Sequence, residues 1–199
     1  MAGGAVRAVL ASANPKKVAE IHEILAGALD LVPRPPEVPD VVEDAPTFVG
    51  NARLKASALV AATGLAALAD DSGIEVDAIG GAPGVRSARY AGEDATDEDN
   101  VAKLLRALAD RPEPADRTAR FRCVLVLQHP DGRELVVDGA VEGHIAPSPR
   151  GTGGFGYDPV FVPAEGDGRT FGEMDPAEKH AMSHRGRALA ALLAALDGT

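Results

Sequence analysis

TFVGNARLKASALVAATGLAALADDSG, residues 47–73, is the stretch whose reading decides the fold class. Thr47 is a good N-cap, and the Ala-, Leu- and Val-rich run after it predicts a helix to about Thr63, ended by Gly64. Leu65–Ala69 then reads as a short apolar strand that runs into Asp70-Asp71-Ser72-Gly73.

The same alternation extends in both directions. Upstream, Arg7–Ala13 reads as a buried strand, and Asn14-Pro15 starts a helix with Asn as cap and Pro where the N–H is unpaired anyway. Val18, Ile21, Leu25 and Leu29 form the expected apolar face of that helix, and a Pro-rich acidic connection follows from Val32 to Pro46. Downstream, Ile74–Ile79 is compatible with helix or strand, and Thr96 with Asp99 predicts a capping box for a helix to about Ala109. Arg117–His129 and Arg133–Ile145 read as long strands joined at Asp131-Gly132, a hairpin signal. A glycine-rich stretch, Gly151–Gly156, leads to a short strand at Val160–Val162, and Asp175 and Ser183 are expected to open the last two helical segments, the second over Arg187–Leu196. The expected fold is α/β, with a mixed central β-sheet flanked by helices and residues 1–199 forming a single domain or two joined lobes.

Composition excludes several classes. A formal net charge of −10 argues against a general nucleic-acid binder or an anionic-membrane binder, because both need a basic surface. No apolar run approaches the ~20 residues that span a bilayer, and residues 1–12 lack a signal-peptide pattern. The lone Cys123, in an apolar run, is expected to be a core thiol and permits no internal disulfide. The expected location is cytoplasmic.

Five clusters carry chemistry. Ser12-Ala13-Asn14-Pro15-Lys16-Lys17 places two lysines at a helix start, where free N–H groups and the dipole favour phosphate. A capped helix with solvated lysines is the plainer alternative. Asn51 and Lys55, four apart, share a face of the second helix and suit a phosphate contact, or form only its exposed side. Asp70 and Asp71 are adjacent, so in a strand only one carboxylate enters a given pocket; Glu43 is a second candidate oxygen ligand for Mg²⁺. A turn capped by Asp and Ser is the alternative there. In Gly151–Asp158 the small residues allow close backbone approach, Phe155 is able to stack on a base and Asp158 to accept a hydrogen bond from ribose or base. Lys179, His180, His184 and Arg185 form the fifth cluster. The i,i+4 histidines have the spacing of zinc ligands, but no third ligand accompanies them.

In order along the chain, Leu10–Lys17, Thr47–Ala56, Ala69–Gly73, GGAPGVRSARYAG at 80–92, GTGGFGYDP at 151–159 and Lys179–Arg185 closely resemble the inosine triphosphate pyrophosphatase family. The resemblance implies hydrolysis of noncanonical purine nucleoside triphosphates (dITP, ITP, XTP) at the α–β bond with Mg²⁺, by a homodimer with substrate in a cleft between two lobes. It implies Asp71 as catalytic carboxylate and metal ligand, Glu43 as a second ligand, and Ser12–Lys17 and Lys55 on the phosphates. Ser72, Phe155, Gly156, Tyr157, Asp158, Lys179, His184 and Arg185 would bind the remainder of the substrate. Three positions depart from the family pattern: Ala13 replaces a glycine, Gly50 stands where a glutamate commonly precedes Asn51-Ala52, and Arg86 replaces an aromatic. A pyrophosphatase for modified pyrimidine or thymidine nucleotides and a nucleotide sensor without turnover are the competing expectations.

Overall fold

The computed structural model describes residues 6–12 and 14–198, apart from the Lys16 side chain. Ala13, one of the expected phosphate-loop residues, lies outside the described residues, as does the side chain of Lys16.

Six strands, β1 (Val6–Leu10), β2 (Leu29–Pro33), β3 (Ala66–Val76), β4 (Thr118–Gln128), β5 (Glu134–Ile145) and β6 (Phe161–Pro163), form one mixed sheet in the order β2-β1-β3-β4-β5-β6. β1 pairs in parallel with β2 and β3, whereas β5 and β6 are antiparallel. Five helices accompany them: α1 (Pro15–Ile24), α2 (Phe48–Thr63), α3 (Asp97–Ala107), α4 (Pro176–Met182) and α5 (His184–Asp197). The chain divides into two compact units, one comprising Met1–Asp71, Cys123–Gly139 and Gly186–Thr199, the other Ser72–Arg122 and Ala140–Arg185.

Each unit has its own core. In the first, Leu10, Ile21, Leu25, Leu68, Cys123, Leu125, Leu189 and Leu192 pack together, so α1 and α5 cover the sheet face that carries Leu68. Cys123 is a buried thiol, as expected. The second core collects Ile74, Val76, Val101, Leu104, Val141, Tyr157, Phe161 and Phe171, with α3 as its helical cover. No helix among the described residues is long and apolar enough to cross a membrane.

Local signals account for most boundaries. Thr47 accepts a hydrogen bond from the Gly50 amide at 3.1 Å, and α2 ends where Gly64 turns left-handed at φ 67°. Thr96 and Asp99 close the expected capping box on α3.

Four expectations need correction. Leu29 is buried, but it begins β2 and does not extend α1, because Gly27 at φ 87° has already turned the chain. The irregular connection is shortened by β2 and starts only after Pro33. Asp70–Gly73 is no turn: β3 continues through it to Val76, and Asp77–Ile79 forms a short 3-10 turn. α5 begins at His184 and not at Arg187.

Arg117 carries no sequence signal, yet its buried guanidinium staples the second unit. Nε donates to Ile145 O at 2.7 Å, Nη1 to Leu108 O and Arg111 O at 2.9 Å each, and Nη2 to Ala146 O at 3.0 Å. A lysine has neither the planar fork nor enough donors for four carbonyls. Arg117→Lys is therefore expected to cost about 2 kcal/mol or more, seen as a lower urea midpoint; an unchanged midpoint would show the carbonyls find other donors.

Candidate active site

In the first unit the strand-to-helix junction is built as its sequence predicts. The Asn14 amide donates to Ser12 Oγ at 3.3 Å, and Asn14 Oδ1 accepts from the Lys17 amide at 3.4 Å. Pro15 occupies the first position of α1. The turn thereby aims a helix N-terminus, with its partial positive charge, at the end of β1.

β3 sorts the two aspartates. Asp70 has the parity of Leu68, which faces α1, and its Oδ2 accepts from Lys17 Nζ at 2.9 Å. Asp71 leaves the opposite face, where α2 meets it. Asn51 Nδ2 donates to Asp71 Oδ2 at 3.0 Å, and Lys55 Nζ lies 3.9 Å from Asp71 Oδ1. The same ammonium donates to Glu43 Oε2 at 3.2 Å, so Lys55 stands between the two carboxylates expected to hold metal.

Asn51 has a larger part than its sequence position suggests. It is fully buried, and besides holding Asp71 it accepts the Ala45 amide at 2.9 Å. That pair of bonds ties the acidic connection to the base of α2 and orients the carboxylate, a role distinct from a phosphate contact. Its four-residue spacing from Lys55 was the available signal. Gly50 has a physical reason as well: a Cβ there would come within 2.7 Å of Ala45 Cβ and 3.0 Å of Thr47 Oγ1, against both the connection and the helix cap.

The second unit gathers the other candidates. Asp158 is buried, and its Oδ2 accepts from the Phe155 amide at 2.7 Å and from Lys179 Nζ at 2.6 Å. Lys179 Nζ lies 4.8 Å and Arg185 Cζ 5.6 Å from the centroid of the half-buried Phe155 ring. Arg185 also donates from Nη2 to Ser72 Oγ at 3.2 Å. The imidazole of His184 stacks on Phe121 at 4.6 Å with 9° between the planes. The Gly156 amide donates to Asp97 Oδ2 at 2.7 Å, and the buried Tyr157 gives its hydroxyl proton to Ser87 O at 2.9 Å. Tyr157 is thus a core residue that shapes the loop from beneath.

His180 and His184 do not share a helix, because α4 stops at Met182 and Ser183, extended at ψ 155°, breaks the register. Among the described residues no three His, Cys, Asp or Glu side chains gather as a metal cage. Arg86 is exposed in a 3-10 turn at Gly84–Arg89.

Residues 8–195 match the model of the Ham1 family. The chain is 52% identical over 188 residues to the dITP/XTP pyrophosphatase of Symbiobacterium thermophilum, covering 94% of this chain and 93% of that protein. It is 51% identical over 189 residues to the dITP/XTP pyrophosphatase of Geobacter sulfurreducens, with 94% of each covered. The solved structure of a HAM1 protein from Coxiella burnetii superposes with a TM-score of 0.90 at 44% identity, covering 98% of this chain and all of that one (100%).

Burial pushes the Asp71 carboxyl above the ordinary aspartate range; Lys55 and the Asn51 hydrogen bond oppose the rise, and Glu43 adds to it. The folded protein therefore holds this proton more readily than the unfolded chain. Stability is lost as pH rises from the unfolded value through the raised folded one. Asp71→Asn, which keeps an acceptor for Asn51, is expected to raise Tm at neutral pH, by roughly 2–4 °C for each kcal/mol recovered. At pH values below the carboxylate range it should leave Tm almost unchanged. Calorimetry at both pH values checks this, and a lower Tm at neutral pH would show that the ionised carboxylate stabilises the fold.

Proposed function

The chain belongs to the Ham1 family, and on that footing we propose that it hydrolyses the noncanonical purine nucleoside triphosphates dITP, ITP and XTP to monophosphate and pyrophosphate, cleansing the nucleotide pool. The observation that carries the reading is the setting of Asp71: a buried carboxylate oriented by Asn51, faced by Lys55 and linked through it to Glu43. Its raised pKa suits a proton acceptor, since a base works best when its pKa is drawn towards the operating pH. The names of relatives about half identical over nearly the whole chain support the same reaction.

Asp71 and Glu43 are the residues that would hold Mg²⁺. Three carboxylates, Glu43, Asp70 and Asp71, meet two ammonium groups, Lys17 and Lys55, so the cluster carries an excess of negative charge that fits a cation. One or two carboxylates are the usual share of the protein at a magnesium ion, the rest being water and substrate phosphate. When bound, the ion neutralises triphosphate charge and fixes the geometry of an in-line displacement.

The protein's own groups do the remainder. The amides at the start of α1, with Ser12, Asn14 and Lys17, bind phosphate oxygens, and Lys55 turns from Glu43 to the same anion. Asp71 takes the proton of the attacking water as its oxygen bonds to the α phosphorus. The bond to the bridging oxygen then breaks and pyrophosphate leaves. Phe155 stacks on the base, and donors at His184 and Arg185 meet the 6-keto oxygen. An adenine amino group would leave those donors unpaired, at a cost of ~1–3 kcal/mol. Ser72, Gly156, Tyr157, Asp158 and Lys179 complete this part of the site. The reading includes a cytoplasmic location and a homodimer, the latter open to sedimentation analysis.

Product analysis with Mg²⁺ tests the whole reading. Monophosphate plus pyrophosphate is expected from dITP, ITP and XTP in preference to dATP, dGTP and dTTP, with kcat reduced by about 10³-fold or more in Asp71→Asn. Release of orthophosphate or preference for dTTP would overturn it, and binding without turnover would make the protein a sensor. Arg185→Ala should narrow the preference for dITP over dATP; an undiminished preference would remove Arg185 from base recognition.

A further inference from the structure

A cavity of about 380 Å³ lies beside α1, on the side of the sheet away from Asp71. Leu10, in its wall, pairs with Leu68 and shares the core that α1 covers, whereas Asp71 leaves the opposite face of β3. Val18 and His22, one turn apart on α1, form one side, and the chain from Pro33 to Asp40 forms the other. Every lining residue belongs to the first unit. Cavities of roughly 300–1,000 Å³ are usual for small-molecule sites. The sequence explains why the space stays open. β2 is an edge strand, and Pro33, Pro35, Pro36 and Pro39 at its end and beyond have fixed φ and no N–H to donate. The segment therefore neither extends the sheet nor coils onto α1. It closes as a turn, with the Val38 amide donating to Pro35 O at 3.1 Å and Arg34 Nη2 to Val38 O at 2.6 Å.

Pro33, Pro35, Pro36 and Val38 thereby face Leu10 and Val18 across the cavity, and the polar lining is Ser12, His22, Arg34 and Asp40. The Arg34 side chain is 19% exposed, and its Nη1 donates to Asp40 Oδ1 at 2.6 Å. The Asp40 side chain is 90% exposed, so this carboxylate meets the guanidinium from the solvent side and is readily exchanged for another anion. We propose that the cavity binds a small organic anion, with a flat apolar body against the prolines and a carboxylate or phosphate on Arg34. The incoming anion takes the planar donor fork that Asp40 occupies, and Asp40 turns into water. The turn that Arg34 closes with Val38 is already formed, so binding orders little of the chain. The proposal is independent of the reaction assigned to Asp71.

Benzoate and phenyl phosphate, titrated into the full chain and followed by NMR, test it. Both are expected to shift the backbone amides of Val18, His22, Arg34 and Val38. Benzyl alcohol, a ring without the charge, and inorganic phosphate, a charge without the ring, should bind there at least about tenfold more weakly. Shifts confined to Asn14 and Lys17 would place the anion at the start of α1 and overturn the proposal, as would equal affinity for benzoate and benzyl alcohol. Two substitutions break the same ion pair with opposite consequences. Arg34→Gln should weaken benzoate about tenfold, whereas Asp40→Asn clears the guanidinium and should tighten benzoate about threefold. If Arg34 and Asp40 served only to shape the turn, both substitutions would weaken binding or neither would change it, and either result overturns the proposal. Asp40 is exposed, so Asp40→Asn keeps the test decisive if Arg34→Gln does not fold. The spectra need no turnover, so they are read in the same way whether or not the protein hydrolyses any triphosphate.

Discussion

A β-strand sends successive side chains to opposite faces, and in β3 that rule falls on two adjacent aspartates. Asp70 goes to the face covered by α1 and is met by Lys17; Asp71 goes to the face of α2 and is met by Asn51 and Lys55. Neither carboxylate is exposed, and a buried ionised carboxylate persists only with partners, so each helix must bring a polar group to a fixed depth. The caps that start these helices, Asn14 for α1 and Thr47 for α2, set that depth. The position of the acids therefore constrains the elements around them, down to the missing side chain at Gly50.

Burial makes the ionised form of Asp71 costly to the first unit. Asp71 is held against the rise in its pKa that burial imposes, and Glu43 aggravates that rise across Lys55. Strain of this kind is a recurrent property of reactive groups, because the environment that makes a carboxylate a better base also makes it costlier to ionise. The lysines offset part of the cost.

In the second unit the solution differs. There the glycine-rich loop has little conformational preference of its own, and order comes from beneath it: Asp158 holds the Phe155 amide, Asp97 the Gly156 amide, and Tyr157 is pinned to Ser87. His184 is set by stacking on Phe121, which itself meets Phe161 at 4.7 Å and Phe171 at 6.1 Å between ring centroids. Polar side chains of this unit are thus fixed by an aromatic core on one side and by a buried ion pair on the other.

Residues that act through their neighbours in sequence were legible without coordinates. Thr47, Gly64, Thr96 with Asp99, and Asp131-Gly132 declare their helix ends and turn because caps and turns are local hydrogen-bonding problems. The ordered motifs likewise marked the family and the candidate site, and the alternation of Asp70 and Asp71 followed from the strand alone. What the tertiary structure decided are the partners distant in sequence. Leu29 begins β2 because it pairs with Val6, although its spacing suits the face of α1. Arg117 is a staple because four carbonyls from separate segments converge on it. Asn51 orients Asp71, and Asp158 is enclosed with Lys179, only once the helices have packed. Such contacts join residues many positions apart, and no periodicity or cap records which side chains the folded chain will bring together.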